Sequence, residues 1–232
     1  MIMETSGNST SRREGAHGGE LRALERQVAE LAGMVSRAVE RALNALLTPN
    51  LSLAQQVVRG DVVINERRYQ IEGRCLAMLT AGGLSAEEVR EVLVVHSIVT
   101  DLERIGDHAE GIANVTLMLG KERRITPSAQ MAQMGVMVQN MLTRGIQAWR
   151  DRDLEEARQV CAADDDVDEA YEAVYHELLA VMFADRSTVA EATYLLWATH
   201  NLERIADRVT NIGERVGFLV TGRMQELNVS KY

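Results

Sequence analysis

Carboxylates recur in this chain four residues apart. Glu103 and Asp107 lie in Asp101-Leu102-Glu103-Arg104-Ile105-Gly106-Asp107-His108, and Glu203 and Asp207 in Asn201-Leu202-Glu203-Arg204-Ile205-Ala206-Asp207-Arg208. The second stretch copies the first 100 residues on, with Leu-Glu-Arg-Ile and the later Asp unchanged. Asp61 with Asn65 and Asp164 with Asp168 have the same spacing and are themselves 103 residues apart. Residues at i and i+4 stand above one another on one helix face. Two such faces brought together would form an all-oxygen site, which suits Mg2+, Mn2+, Ca2+ or ferric iron and could hold zinc. His200, three residues before Glu203, could add a nitrogen ligand, as could His96, seven before Glu103; His108 falls off the acid face.

One acid pair on its own carries no weight. With 34 acids among 232 residues, chance supplies about 5 pairs at i, i+4, and the default reading of each is a solvated face. Like charges four apart also cost a helix a few tenths of a kcal/mol. What raises these pairs above the background is that Glu and Asp are kept at equivalent positions in two copies whose other surface residues have diverged.

Positioning these side chains requires long helices. Two prolines and 4% aromatics argue for helices rather than a sheet, and six helical segments follow. The first runs from about Glu20 to Leu47 and breaks before Pro49. The second runs from near Asn50 to about Thr80 and ends at Gly82-Gly83. The third opens with the capping box Ser85-Ala86-Glu87-Glu88 and runs to Leu119, with Gly120 as its stop. The fourth takes Thr126 as N-cap and Pro127 as first helical residue, and ends near Arg150. The fifth opens with a box at Asp153-Leu154-Glu155-Glu156 and runs to near Phe183. The sixth opens with Thr188-Val189-Ala190-Glu191 and runs to about Val220. Short connections make neighbours antiparallel. The duplication covers whole triplets, since Met34 matches Met137 and Asp61 matches Asp164. The expected fold is all-α: two three-helix bundles in tandem, residues 20–120 and 121–222, between a disordered polar tail at 1–19 and a C-terminal tail at 223–232.

Within the third helix two stripes separate. Leu102, Ile105, Ala109, Ile112, Thr116 and Leu119 form the apolar one; Glu103, Asp107, Glu110 and Asn114 form the other, roughly opposite. The acids are therefore expected on an exposed face. In the second segment, Arg68 and Glu72 continue the line of Asp61 and Asn65 beside Val57, Ile64, Ile71 and Met78. Arg104 and Arg204 read as structural ion pairs, and Trp149, Trp197 and the methionines as core and interface filler.

Composition narrows the partners. A net charge of −9 argues against nucleic acid, which needs basic patches, and suits cations or a basic protein. Cys75 and Cys161 are isolated, so neither a disulfide framework nor a thiolate zinc site is expected. No apolar run begins the chain as a signal, and none later reaches the ~18 residues of a membrane span. The expected location is the cytoplasm.

Leu-Glu-Arg-Ile-Gly-Asp-His-Ala at 102–109, and Leu-Glu-Arg-Ile-Ala-Asp-Arg-Val-Thr-Asn-Ile-Gly-Glu at 202–214, resemble the duplicated signature of the PhoU family, accessory regulators of bacterial high-affinity phosphate transport. The resemblance spans about Glu20 to Val220 and implies the tandem three-helix fold. It also implies multinuclear metal clusters on the bundle surfaces, with iron favoured and zinc, manganese or magnesium as alternatives. Asp164, Asp168, Glu203 and Asp207 match that pattern in full, while Glu103 and Asp107 face Asp61 and Asn65, where an amide replaces a carboxylate. The family's Asn-Ile-Ala-Glu tail is Asn211-Ile212-Gly213-Glu214 here, adding Asn211 and Glu214 to the ligand set; its first copy reads Gly111-Ile112-Ala113-Asn114.

Two functions of different class compete. The first is a non-enzymatic, metal-binding regulator. By resemblance it would be a homodimer whose partners are the phosphate transporter's ATPase subunit and a phosphate-sensing histidine kinase, meeting the membrane only through them. No nucleophile–base constellation, Gly-rich phosphate loop or nucleotide fingerprint is present. The second is a carboxylate-bridged di-iron oxidase or metal-storage protein of ferritin type. That class needs Glu-x-x-His pairs aimed into the bundle core, and Glu14…His17 in the N-terminal tail is the sole Glu-x-x-His of the sequence. The regulator is the favoured expectation.

Overall fold

The computed structural model describes residues 17–224 together with Glu226 and Leu227. Among these, seven α-helices are present: α1 (Gly18–Leu47), α2 (Leu51–Ala81), α3 (Ala86–Leu119), α4 (Ala129–Asp151), α5 (Leu154–Ala162), α6 (Asp164–Ala184) and α7 (Val189–Thr221), with a 3-10 turn at Arg186–Thr188. The expected tails lie largely outside the described residues; Gly18 and Gly19 already belong to the first turn of α1.

Several ends form as local chemistry dictates. The Asn50 side chain accepts the Leu53 N–H at 3.0 Å. At α3 the Ser85 hydroxyl accepts from Glu88 N at 3.2 Å while the Glu88 carboxylate accepts from Ser85 N at 2.8 Å, satisfying two orphan donors at once. Gly120 closes α3 with φ 71°, a region open to glycine at little cost.

Three expectations are corrected. The fourth helix is capped by Ser128, not Thr126, with the Ser128 hydroxyl accepting from Met131 N at 3.2 Å. At Thr188 no side-chain cap forms: its hydroxyl donates to Asp185 O at 2.6 Å. Glu191 instead accepts the Arg124 and Ile125 N–H groups at 2.7 and 3.1 Å, tying down the 120–128 connection. The fifth segment is two helices, broken at Ala163. Asp164, Asp165 and Asp166 follow at once; beginning a helix there sets three like charges at a positive N-terminal end rather than mid-helix.

Helices α1, α2 and α3 pack on one another, as do α4, the α5–α6 pair and α7. These are two tandem three-helix bundles, and α3 packs along α7 where they meet. Val28, Leu31, Val35 and Val39 of α1 fill the first bundle with Ile64 and Ile71 of α2, and Met134, Val138 and Leu142 of α4 fill the second with Val167 and Val174 of α6. Leu102, Ile105, Ala109 and Ile112 of α3, and Leu202, Ile205, Val209 and Ile212 of α7, are fully covered. Each such aliphatic side chain contributes about 1.5–3 kcal/mol by leaving water. Trp149 is core, but Trp197 is 51% exposed and rests on Tyr194 at 5.5 Å, so only one tryptophan fills the interior.

The α3–α7 contact is quasi-symmetric. Asp101 of α3 accepts from Asn211 Nδ2 of α7 at 3.2 Å, with Arg208 3.9 Å away. In the reciprocal place Asn201, the repeat counterpart of Asp101, bonds His108 at 2.9 Å. A Cβ at Gly111 would stand 2.8 Å from Asn201 Oδ1, so glycine here admits the crossing.

Candidate metal centre

Each triplet brings one acidic helix face against another. In the first, α2 presents Asp61 and Asn65 to Glu103, Asp107 and Glu110 of α3. Gly106 sets the separation: a Cβ there would lie 3.2 Å from Ile64 Cγ2 and 3.6 Å from Asp61 Oδ1. In the second, α6 presents Asp164 and Asp168 to Glu203 and Asp207 of α7.

The expectation of a wholly exposed acid face is corrected at two repeat-unrelated positions. Glu103 is 6% exposed and Asp164 8%, because the partner helix closes over them. Asp107 and Asp207 remain partly open. One carboxylate oxygen of each of Asp61, Glu103, Asp164 and Glu203 is buried without a hydrogen bond; that of Glu103 lies 3.7 Å from Arg104 Nε, and that of Glu203 lies 3.3 Å from Arg204 Nε and 3.4 Å from His200 Nδ1. An unmet buried acceptor costs about 1–3 kcal/mol, more when charged; in the second triplet, where Asp164 and Glu203 lie among Asp168 and Asp207, a bound cation would satisfy both.

Electrostatics agree. Burial, then Asp168 and Asp207, push the Asp164 carboxyl up to about 6. Burial, then Asp207, push Glu203 up to about 7. Asp168 rises for the same reasons, burial first and Asp207 next. In the first triplet Asp61 and Glu103 rise through burial and then Asp107, and Glu110 through burial and then Asp61. Clustered acids whose charges are incompletely matched hold protons in this way. The arginines expected as structural pairs are in place: Arg204 lies 3.3 Å from Glu203 and 2.9 Å from Asp207, and Arg104 lies 3.7 Å from Glu103 and 3.5 Å from Asp107.

In the second triplet the oxygen donors fit a hard cation in type, as two facing pairs rather than a closed cage. Among the described residues no three His, Cys, Asp or Glu side chains are drawn into one metal-holding group. His200 stands at the rim of the second site, Nδ1 3.4 Å from Glu203, with its imidazole kept below its ordinary pKa by burial and then Arg204. A neutral imidazole is the form that ligates. Asn211 Nδ2 donates to Asp101 at 3.2 Å, and Glu214 accepts from Leu227 N at 3.4 Å.

Three residues escaped the reading from sequence. Arg68 donates from Nη1 to Glu103 at 2.7 Å inside the first site; its position on the Asp61–Asn65 line was visible, its reach to α3 was not. Tyr171 stands beside the second site, its ring 6.4 Å from that of His200. Asp101, just outside the Leu-Glu-Arg-Ile block, is mostly buried and pairs across the bundles, its pKa raised by burial despite Asn211 and Arg208. Cys75 and Cys161 are buried, the Cys161 thiol 3.6 Å from Thr210 O, and burial pushes their thiols up to about 11 and 12, which makes them inert.

The PhoU domain family model matches residues 28–116 and 131–216. The chain is 32% identical over 210 residues to a phosphate-specific transport system accessory protein PhoU homolog of Clostridium acetobutylicum, covering 90% of this chain and 96% of that protein. It is 31% identical to the Pseudomonas aeruginosa protein of the same description, covering 88% and 84%. The crystal structure of the phosphate transport system regulatory protein PhoU from Streptococcus pneumoniae superposes with TM-score 0.83 at 29% identity, over 89% of this chain and 97% of that one. PhoU from Pseudomonas aeruginosa superposes with TM-score 0.85 at 31% identity, over 89% and 100%. A domain model matched in both triplets, and relatives aligned along nearly their whole length with the same fold, establish that the chain belongs to the PhoU domain family.

Proposed function

We propose that this chain is a metal-binding regulator of phosphate uptake and phosphate-responsive signalling, acting by docking on the phosphate transporter's ATPase subunit and on a phosphate-sensing histidine kinase. The relatives are named accessory and regulatory proteins of the phosphate-specific transport system, which supports reading the chain as a regulator rather than an enzyme. Within the described residues no helix is long and apolar enough to cross a membrane. The proposed setting is the cytoplasm, as a homodimer that meets the membrane through its partners.

The observation that supports metal binding is the convergence of Asp164, Asp168, Glu203 and Asp207, with the Asp164 and Glu203 carboxyls each burying an oxygen without a hydrogen bond and held up to about 6 and 7. These two, with Asp168 and Asp207, would hold the metal, and His200, 3.4 Å from Glu203, would add a nitrogen. Iron is the favoured metal, with zinc, manganese or magnesium as alternatives. A metal held there by Asp164, Asp168, Glu203 and Asp207 would supply positive charge in place of the carboxyl protons and would attract anionic groups on a partner. A generic acidic surface attracts basic partners too, but in the opposite sense: chelation leaves bare acids and strengthens that attraction, while salt weakens it.

The test is elemental analysis of protein purified without added metal, followed by capture of the transporter ATPase and the kinase with and without chelator at constant salt. Metal-bridged docking is lost on chelation and in Glu203→Ala/Asp207→Ala. Undiminished capture by the chelated protein and by a helical double mutant would remove docking from the metal's role.

A further inference from the structure

The first acidic site already contains a cation of its own. Arg68 Nη1 donates to Glu103 Oε1 at 2.7 Å, and Arg68 Nε lies 3.3 Å from Glu72 Oε1. The three side chains are well covered, at 18%, 8% and 23% exposure. The guanidinium also lies 4.7 Å from the centre of the Tyr69 ring, whose π face favours a cation. On the other flank the Asn65 amide donates to Asp61 at 2.8 Å, occupying one of that carboxylate's oxygens with a neutral donor.

The repeat supplies the control. Offset by 103, Arg68 corresponds to Tyr171, Asn65 to Asp168 and Glu72 to Tyr175. Tyr171 and Tyr175 stack on each other with ring centres 6.5 Å apart. The second site therefore keeps four carboxylates with Arg204 as the arginine paired to them, and nothing corresponding to Arg68.

We propose that Arg68 is the resident counter-ion of the first acidic site, which is a guanidinium-filled, metal-free site, while the second site alone takes a divalent or trivalent cation. An arginine is always charged and planar, and it satisfies a carboxylate by direct donation. A metal ion set between Asp61 and Glu103 would be repelled by the guanidinium bonded to the latter. The donor set of the first triplet thus does not fit the metal that the family resemblance implies there. Asp61 keeps one oxygen without a hydrogen bond, and the second oxygen of Glu103 has only Arg104 Nε, at 3.7 Å; what the site accepts in addition is a neutral donor such as water, which satisfies those oxygens without adding charge.

The contrast with the second site rests on the metal-binding reading above, but the role of Arg68 is measurable without it. In chelator, thermal melts of Arg68→Ala, Glu103→Gln and the double variant form a mutant cycle. The expected result is non-additivity, the double variant losing clearly less than the sum of the single losses; additive losses overturn the pairing. Metal content after equilibration with ferrous iron or zinc is the second arm. Glu103→Gln is expected to leave bound metal per chain unchanged, and Glu203→Gln to reduce it severalfold. Arg68→Tyr with Asn65→Asp, which copies the second site into the first, is expected to raise metal per chain by the content of one site. Equal losses from Glu103→Gln and Glu203→Gln overturn the proposal even where the copied variant does not fold. If the wild-type chain takes up no metal, the functional reading fails, and the mutant cycle still decides whether Arg68 fills the first site.

Discussion

The two triplets share a backbone plan and differ in how they neutralise the same acids. In the first, α2 runs unbroken from Leu51 to Ala81 and delivers Arg68 and Asn65 against α3. In the second, the corresponding stretch breaks at Ala163, so that Asp164 opens a new helix, and tyrosine stands where arginine did. Glu203 and Glu103 occupy equivalent positions, yet only Glu203 is pushed up as far as about 7. Duplication leaves the donors in register; the neighbouring helix supplies a counter-charge, Arg68 on Glu103, in the first triplet, where the second has Tyr171.

The largest effect expected from this difference is on metal content. Glu203→Ala with Asp207→Ala should abolish most of the bound metal, whereas Glu103→Ala with Asp107→Ala should remove little, since loss of ligands costs affinity steeply only where metal sits. Elemental analysis of the two double mutants side by side decides it, and equal losses would break the comparison.

A pH effect of opposite sign with and without metal comes next. Glu203 and Asp164 are raised from ordinary values of 4.5 and 3.8 to about 7 and 6. The folded chain therefore binds protons more tightly than the unfolded one, and their stabilising contribution is complete below pH ~4. It is lost as pH rises through 6 and 7. Chelated protein should melt at a lower temperature at pH 8 than at pH 5.5, and Glu203→Gln should flatten that trend. With metal present the acid limb should weaken instead, because protons compete for the ligands. A chelated wild type whose melting point rises from pH 5.5 to pH 8 would contradict the burial of these carboxyls.

Smaller effects test how closely the helices approach in each bundle. A Cβ at Gly213 of α7 would meet Cys161 Sγ at 2.6 Å and the Ala157 carbonyl oxygen at 3.2 Å, both on α5. At Gly106 the Cβ would meet the side chain of Ile64, which can move. Gly213→Ala should cost about 1–3 kcal/mol through overpacking and Gly106→Ala less, as read from denaturant midpoints. The reverse order would show that α2 is held against α3 more rigidly than α5 against α7.

The smallest expected difference is at the start of the third helix of each triplet. Ser85→Ala removes the side-chain half of a reciprocal box and should cost about 1 kcal/mol. Glu191→Ala removes bonds to Arg124 N and Ile125 N in the connection, so its effect should appear as faster amide exchange at 124 and 125 rather than as fraying of α7. Fraying at α7 in that variant would argue that Glu191 caps its own helix after all.

Local chemistry was sufficient for much of this molecule. The apolar period, the box at Ser85, the glycine stop at Gly120 and the retained Leu-Glu-Arg-Ile blocks are all written within a few residues, so helices, repeat and the i, i+4 register of the acids follow from sequence alone. What depends on distance between helices does not. Arg68 and Glu103 are 35 residues apart and meet at 2.7 Å because Gly106 lets α2 lie close to α3. Asn211 continues the acid line of α7 in sequence, yet its amide is taken by Asp101, 110 residues away. The stripe pattern set Glu103 opposite the core, and α2 then covered it. Burial, counter-charge and partner choice depend on which surfaces dock, and docking is decided by packing across the whole bundle rather than by the order of residues along one helix.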